Sequence, residues 1–266
     1  IVAIPMFFVK GSNALLIAMY LQNIGMFILP AWIAATLFWG NAGKSLYLNK
    51  APRIIELLGI IALFIVATPA LNRIVEWNEA MHLPEALYNI EQWMRQQENA
   101  ATKITEQILQ VNSFSHFLAV IFGIGILTGI FRGVLQRIVQ DKNHRAHVAV
   151  WICAFLFSAI HLQFYGFIPR LLLGAFFGYL LVWSKNLWLP IFAHLFNNST
   201  VACISYFTND KSPDNLIETV GTSGSPTSWL AGASLIGTVI LLYVLYKKVF
   251  VSKSKEFFPM EDKITP

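Results

Sequence analysis

Long apolar runs, separated by short clusters of lysine and arginine, constrain this chain more than any other feature. Stretches such as IIELLGIIALFIVATPALN (54–72) and HVAVWICAFLFSAIHL (147–162) carry almost no charge. A helix crossing a bilayer needs roughly 20 predominantly apolar residues. Only 12% of the 266 residues are charged and 56% are hydrophobic, against about 25% charged in an ordinary soluble domain. Mean hydropathy is +0.58. A disordered chain, a collagen, a disulfide scaffold and nearly every soluble enzyme are excluded. The expectation is an all-α, polytopic transmembrane helical bundle of about seven spans, forming one integral membrane domain over 1–266. The spans fall at 13–39, 54–72, 114–139, 147–162, 167–183, 186–207 and 228–250. They are helices because the runs are continuous and lack period-two alternation. The run IVAIPMFFV at 1–9 reads as the end of a further apolar segment or anchor.

The net charge of +5 belongs to the loops and carries no nucleic-acid signal. Lys44, Lys50 and Arg53, then Lys142 and Arg145, then Lys185, then Lys247, Lys248, Lys253 and Lys255 fall on one face of the membrane. The positive-inside bias makes that face, and the C-terminus, cytoplasmic. Trp39, Trp151, Trp183, Trp188 and Trp229 lie near span ends, as an interfacial belt requires. Cys153 and Cys203 sit in apolar runs and read as free thiols.

The sizeable extramembrane piece is 73–113. Leu87, Ile90, Met94, Ile104, Ile108 and Leu109 recur at helical spacing. The expectation is an amphipathic helical insertion on the non-cytoplasmic surface, either a plain connector or a lid or docking surface. The 208–227 loop is polar and rich in turn formers.

Polar groups inside apolar spans are costly and point to function. Phe157 and His161 form one i, i+4 pair, and His194 and Asn198 another. Imidazole and amide can polarise a carbonyl, donate to an oxyanion or bind a metal. The alternative is a satisfied core histidine. Two histidines fall short of the three protein ligands of a catalytic zinc, so no cofactor is called for, with a metal at His161 and His194 the one exception. Arg132, in FRGVLQ at the end of the third span, is a further candidate or a snorkelling interfacial arginine. Gly125, Gly129 and Gly133, with Gly174 and Gly178, form small-residue stripes for close helix packing.

The order FRGVLQ, FSAIH, HLFNN resembles the CAAX prenyl protease and bacteriocin-processing (CPBP, or Abi) family of intramembrane proteases. The resemblance covers roughly 114–200, and the flanking stretches look like bacterial members. It implies a Glu-Glu pair before the arginine, then Phe-x-x-x-His, then His-x-x-x-Asn or Asp. The glutamates would activate water, while the histidines and the amide assist and stabilise the oxyanion. Carried over, Arg132, His161, His194 and Asn198 are the family-equivalent catalytic residues. The glutamates fall on Leu127 and Thr128, which offer no base. From 107 to 209 the one acidic residue is Asp141, in a basic loop, and Glu56 is the remaining carboxylate candidate, the alternative being an interfacial carboxylate paired with Arg53. The leading expectation is therefore a catalytically impaired CAAX-protease-like protein of a bacterial inner membrane. Its retained pocket would bind a peptide, a lipid or a partner helix, as an accessory subunit of an envelope complex. The rivals are an active endopeptidase, with a base from Glu56, from metal-bound water or from a partner, and a scaffold subunit. For Arg132 to approach His161 in depth, the third helix must run on to about Val139, carrying Arg132 and Arg137 into a protein-lined region.

Overall fold

The computed structural model describes residues 11–109, 113–125, 133, 135–139, 146–208 and 216–250. Among these the chain is all helix and turn, with no strand. The first apolar run forms α1 (Ser12–Gln22), a π-helical stretch Asn23–Ile28, and α2 (Leu29–Trp39). A short α3 (Ala42–Ser45) leads into α4 (Ile54–Glu79). The insertion forms a 3₁₀ turn, Glu85–Leu87, and α5 (Tyr88–Leu109), followed by α6 (Phe114–Gly125). The motif-bearing helices are α7 (Ala146–Ile160), α8 (Phe167–Ser184) and α9 (Trp188–Thr208). The chain continues through α10 (Leu216–Thr219) and α11 (Leu230–Leu245), whose last turn opens into a π-helical end, Tyr246–Phe250.

Among the described residues four stretches are long and apolar enough to cross a membrane by length and composition: Asn13–Trp39, Ile54–Glu79, Phe164–Ser184 and Leu230–Phe250. Ala146–Ile160 is apolar but shorter. α9 has the length of a span, but it also carries His194, Asn197, Asn198, Ser199 and Thr200. The helix that holds the motif is diluted by the motif itself. The third predicted span is helical at 114–125 and again at 135–139, and the stretch 126–132, with Leu127, Thr128 and Arg132, lies outside the described residues. So do the 1–9 run, Asp141 and the Lys253 tail.

α7 packs along α8, α4 along α11, and α6 along α9. Lipid tails are as apolar as leucine, so helix association rests on close van der Waals fit. Gly178 meets this need: a Cβ there would come 2.9 Å from Val150 Cγ1 and 3.1 Å from Gln136 Oε1. Gly133 lies against Leu187 in the same way. The outward faces of α1, α2 and α11 remain apolar and exposed, as in Leu37, Phe38, Ile236 and Val239. Cys153 and Cys203 are free thiols.

The insertion's apolar residues divide between two faces. Leu87 and Ile90 are exposed, together with Tyr88 and Trp93, whereas Glu91, Ala101, Ile104 and Ile108 are buried. Glu91 turns inward because it has partners. It accepts from Arg95 Nη2 at 2.7 Å and from the Leu83 N–H at 2.9 Å, and lies 3.0 Å from His82 Nδ1. Arg95 in turn lies over the Tyr165 ring, 4.3 Å from its centroid. An ion-paired anchor takes the buried side of the first turns, and the apolar residues there face outward.

Candidate functional site

α7 stops one residue before His161 rather than running through it, a correction to the predicted span. The Leu162 N–H bonds back to the Ala159 carbonyl at 3.1 Å, and Leu162 itself adopts a left-handed φ of 51°. A leucine in that region is strained and is held there by its surroundings. The turn folds the His161 ring back, so that Nδ1 donates to the Phe157 carbonyl at 2.6 Å. The Phe157 and His161 rings meet edge to face, with centroids 4.9 Å apart. A ring nitrogen bonded to a carbonyl must carry the proton, so the neutral imidazole keeps its lone pair at Nε2.

His194 is held from three sides. Asn198 Nδ2 donates to its Nε2 at 2.8 Å, the i, i+4 bond expected on one helix face. Asn197 Nδ2 donates to Asn198 Oδ1 at 3.2 Å and orients that amide. Phe157 and Phe177 pack against the His194 ring at 5.8 and 5.5 Å. Phe157 therefore touches both imidazoles and links α7 to α9.

These side chains open onto one cavity of about 220 Å³. His161, His194, Asn197 and Asn198 line it, as do Phe157, Leu173 and Phe177. Among the wall residues that the sequence reading missed are Thr105, Gln163 and Arg170. Arg170 sits in the first turns of α8 and donates from Nη1 to the Gln163 carbonyl at 2.9 Å. It is an arginine within an apolar span, a signal that could have been read in FIPRLLL. Thr105 and Leu109 come from α5, so the insertion supplies one wall. Glu98 secures it by accepting the Tyr165 N–H at 3.1 Å and the Gln163 side-chain N–H at 3.4 Å. Glu98, Ala101, Thr105 and Ile108 follow one helical face.

Glu56 is elsewhere. Its Oε2 accepts the Arg53 backbone N–H at 2.7 Å and its Oε1 pairs with the Arg53 guanidinium at 2.9 Å, closing the N-terminus of α4. The same guanidinium donates to the Val249 carbonyl at 2.6 Å. Among the described residues lining the cavity none is a carboxylate. Nor do three His, Cys, Asp or Glu side chains come together anywhere among the described residues as a metal set. Two imidazoles, one already hydrogen-bonded through Nε2, do not fit a zinc centre. The cavity can receive hydrogen bonds at His161 Nε2 and present the cation of Arg170.

Comparison with known proteins agrees with the family resemblance. The family described as type II CAAX prenyl endopeptidase Rce1-like matches residues 110–200. No curated protein and no solved structure matches the chain. The matched segment takes in α6, α7, α8 and the half of α9 that carries His194 and Asn198. Residues 110–200 of this helical membrane protein are thus similar to the type II CAAX prenyl endopeptidase Rce1-like family, a match consistent with a CPBP family member.

Proposed function

We propose that this CAAX-protease-like membrane protein keeps the family's cavity as a binding site for an apolar peptide segment and has lost hydrolysis. The observation that carries this reading is the composition of the cavity wall. It presents imidazole, amide and guanidinium groups among phenylalanines, and no acid among its described residues. The two motif positions that should supply carboxylates are Leu127 and Thr128. Amide hydrolysis needs a base beside the attacking water, a contribution of about 10²–10⁴-fold. His161, His194 and Asn198, with Arg132, are the family-equivalent residues, here assigned to recognition. His161 Nε2 would accept a peptide N–H, and Arg170 would meet a carbonyl or carboxylate.

An accessory role in an envelope complex of a bacterial inner membrane, with the C-terminus in the cytoplasm, completes the proposal. The lysine and arginine bias of alternate loops supports that orientation. A photoreactive residue placed at Thr105 in the full chain, reconstituted in vesicles, should capture an apolar peptide ending in a CAAX-type sequence without cutting it. Cleavage by the natural chain that disappears in His161→Ala would overturn the proposal, as would failure to capture.

One observation favours an active enzyme as the second reading. Glu98 brings a carboxylate to Gln163, a wall residue of the same cavity, although it is far from the motifs in sequence. That reading requires cleavage that Glu98→Gln abolishes.

A further inference from the structure

The first turns of the insertion leave an apolar side uncovered. Leu87, Ile90 and Trp93 fall three residues apart, so they neighbour one another along one side of the chain there. All three are exposed, Ile90 at 50%. Trp77, near the end of α4, and Met81, in the turn that leads to α5, are exposed as well. Large apolar side chains left open together mark a surface that something covers. The other exposed side of α5 is polar, where Gln92, Gln96, Asn99 and Lys103 recur at helical spacing.

Asn78 fixes the level of the apolar face. It is 3% exposed, and its Oδ1 accepts the Ile168 N–H at 2.8 Å. Its Nδ2 donates to the Phe164 carbonyl at 3.4 Å and lies 3.7 Å from the Met81 sulfur. The end of one membrane-length stretch, Ile54–Glu79, is thereby pinned to the start of another, Phe164–Ser184. The Trp93 ring meets Phe164, with centroids 5.3 Å apart. The face therefore stands where two such stretches end.

The length of α4 places that level in a bilayer. Its 26 residues extend about 39 Å at a rise of about 1.5 Å per residue. The hydrocarbon core of a bilayer is about 30 Å thick. The last turns of α4, with Arg73, Glu76 and Trp77, thus reach the depth of the headgroups. Indoles gather there because the ring is apolar and its N–H is polar. Further along α4, Ile65, Leu58 and Ile54 are exposed too. The face on the insertion continues the apolar surface that this helix turns to lipid.

Charge specifies the kind of lipid. From 86 to 94 the one charged residue is Glu91. It is turned inward onto Arg95 and the Leu83 N–H. Glu79 and Glu85, both exposed, stand at the rim. An acidic rim is repelled by anionic headgroups, so the matching surface is a zwitterionic leaflet, held by apolar burial.

We propose that the face made by Trp77, Met81, Leu87, Ile90 and Trp93 is buried in a leaflet of zwitterionic lipid, anchoring the first turns of α5 to the membrane surface. The anchor holds α5 at a fixed height above the bundle, and the same helix carries Thr105 and Leu109 to the wall of the His161 cavity. It is separate from that cavity and does not rest on the function proposed for it.

The test uses the full chain reconstituted in phosphatidylcholine vesicles. Spin labels are attached through Ile90→Cys and, in a second variant, Leu87→Cys, with Gln96→Cys on the polar side as the reference. These positions are exposed, so the fold is kept. The natural chain, in which Cys153 is buried, gives the labelling background. Oxygen partitions into acyl chains, whereas a nickel chelate stays in water. At Ile90 and Leu87 collisions with oxygen should exceed those with the chelate several-fold, and at Gln96 the order should reverse. As a second measurement, brominated acyl chains should quench the indole emission of the natural chain more than that of Trp77→Phe with Trp93→Phe. The proposal is overturned if the labels at Ile90 and Leu87 meet the chelate as often as the label at Gln96, which leaves the face in water. It is also overturned if those labels are shielded from both reagents, which puts a second copy of the chain over the face, or if the double substitution leaves quenching unchanged.

Discussion

The Glu98 carboxylate accepts the backbone N–H of Tyr165 at 3.1 Å, across 67 residues of sequence. This bond ties helix α5 of the insertion to the turn that follows His161. It makes the insertion part of the cavity wall and gives the lid reading of 73–113 a physical basis.

Replacing that carboxylate should loosen the lid and leave the bundle intact. Glu98→Gln keeps the side chain's shape but removes the charge. A half-exposed charged hydrogen bond of this kind is worth about 1 kcal/mol. Hydrogen exchange at the Tyr165 amide should accelerate several-fold, while α11 exchanges as before. Unchanged Tyr165 protection would show that Glu98 does not hold α5 down.

Acid should release the other end of the insertion. Arg95 first, then the Leu83 N–H and His82, lower the Glu91 pKa to about 2. The unfolded value is near 4.3. A lowered carboxylate pKa contributes stability that is complete above the unfolded value. It is lost as pH falls from about 4.3 toward about 2. Thermal unfolding of the natural chain should therefore weaken across that window, and Glu91→Gln should flatten the dependence.

Gly178 should tolerate no side chain. A Cβ would sit 2.9 Å from Val150 Cγ1, and Val150 is fully buried and β-branched. Gly178→Ala should cost about 1–3 kcal/mol by overpacking, seen as a lower unfolding midpoint in detergent. An unchanged midpoint would mean that α7 and α8 can separate freely.

Restoring the missing acids tests the functional proposal from the opposite side. Leu127→Glu with Thr128→Glu should yield cleavage of a CAAX-type peptide, at least about 10²-fold above the natural chain. His161→Ala in that background should remove it. A silent double variant would locate the loss of activity beyond the missing base.

Local chemistry made much of the fold readable. Apolar runs long enough to span, lysines and arginines between them, and period-3.6 spacing set the helical elements to within a few residues. The pairs Phe157–His161 and His194–Asn198 were equally legible, because a contact between residues four apart is local and needs no tertiary partner. Which residues of the early insertion pack inward was not legible. Leu87 and Ile90 fit an apolar stripe, but the buried side was taken by Glu91 once Arg95 and the Leu83 N–H could pair with it. Arg170 and Glu98 were passed over because neither belongs to a spaced motif. What they do depends on the residues that folding brings beside them.

By itself the sequence determined that this chain belongs in a bilayer as helices, and which helix faces carry imidazole and amide. Both follow from hydropathy and spacing, which act over a few residues. The Arg53–Glu56 pair was readable too, being three residues apart. Tertiary structure alone decided that helix α5 of the insertion walls the cavity and that Arg137 and Lys185 line a second one. Those outcomes join residues far apart in the chain, and a periodic pattern specifies a face without naming what will pack against it.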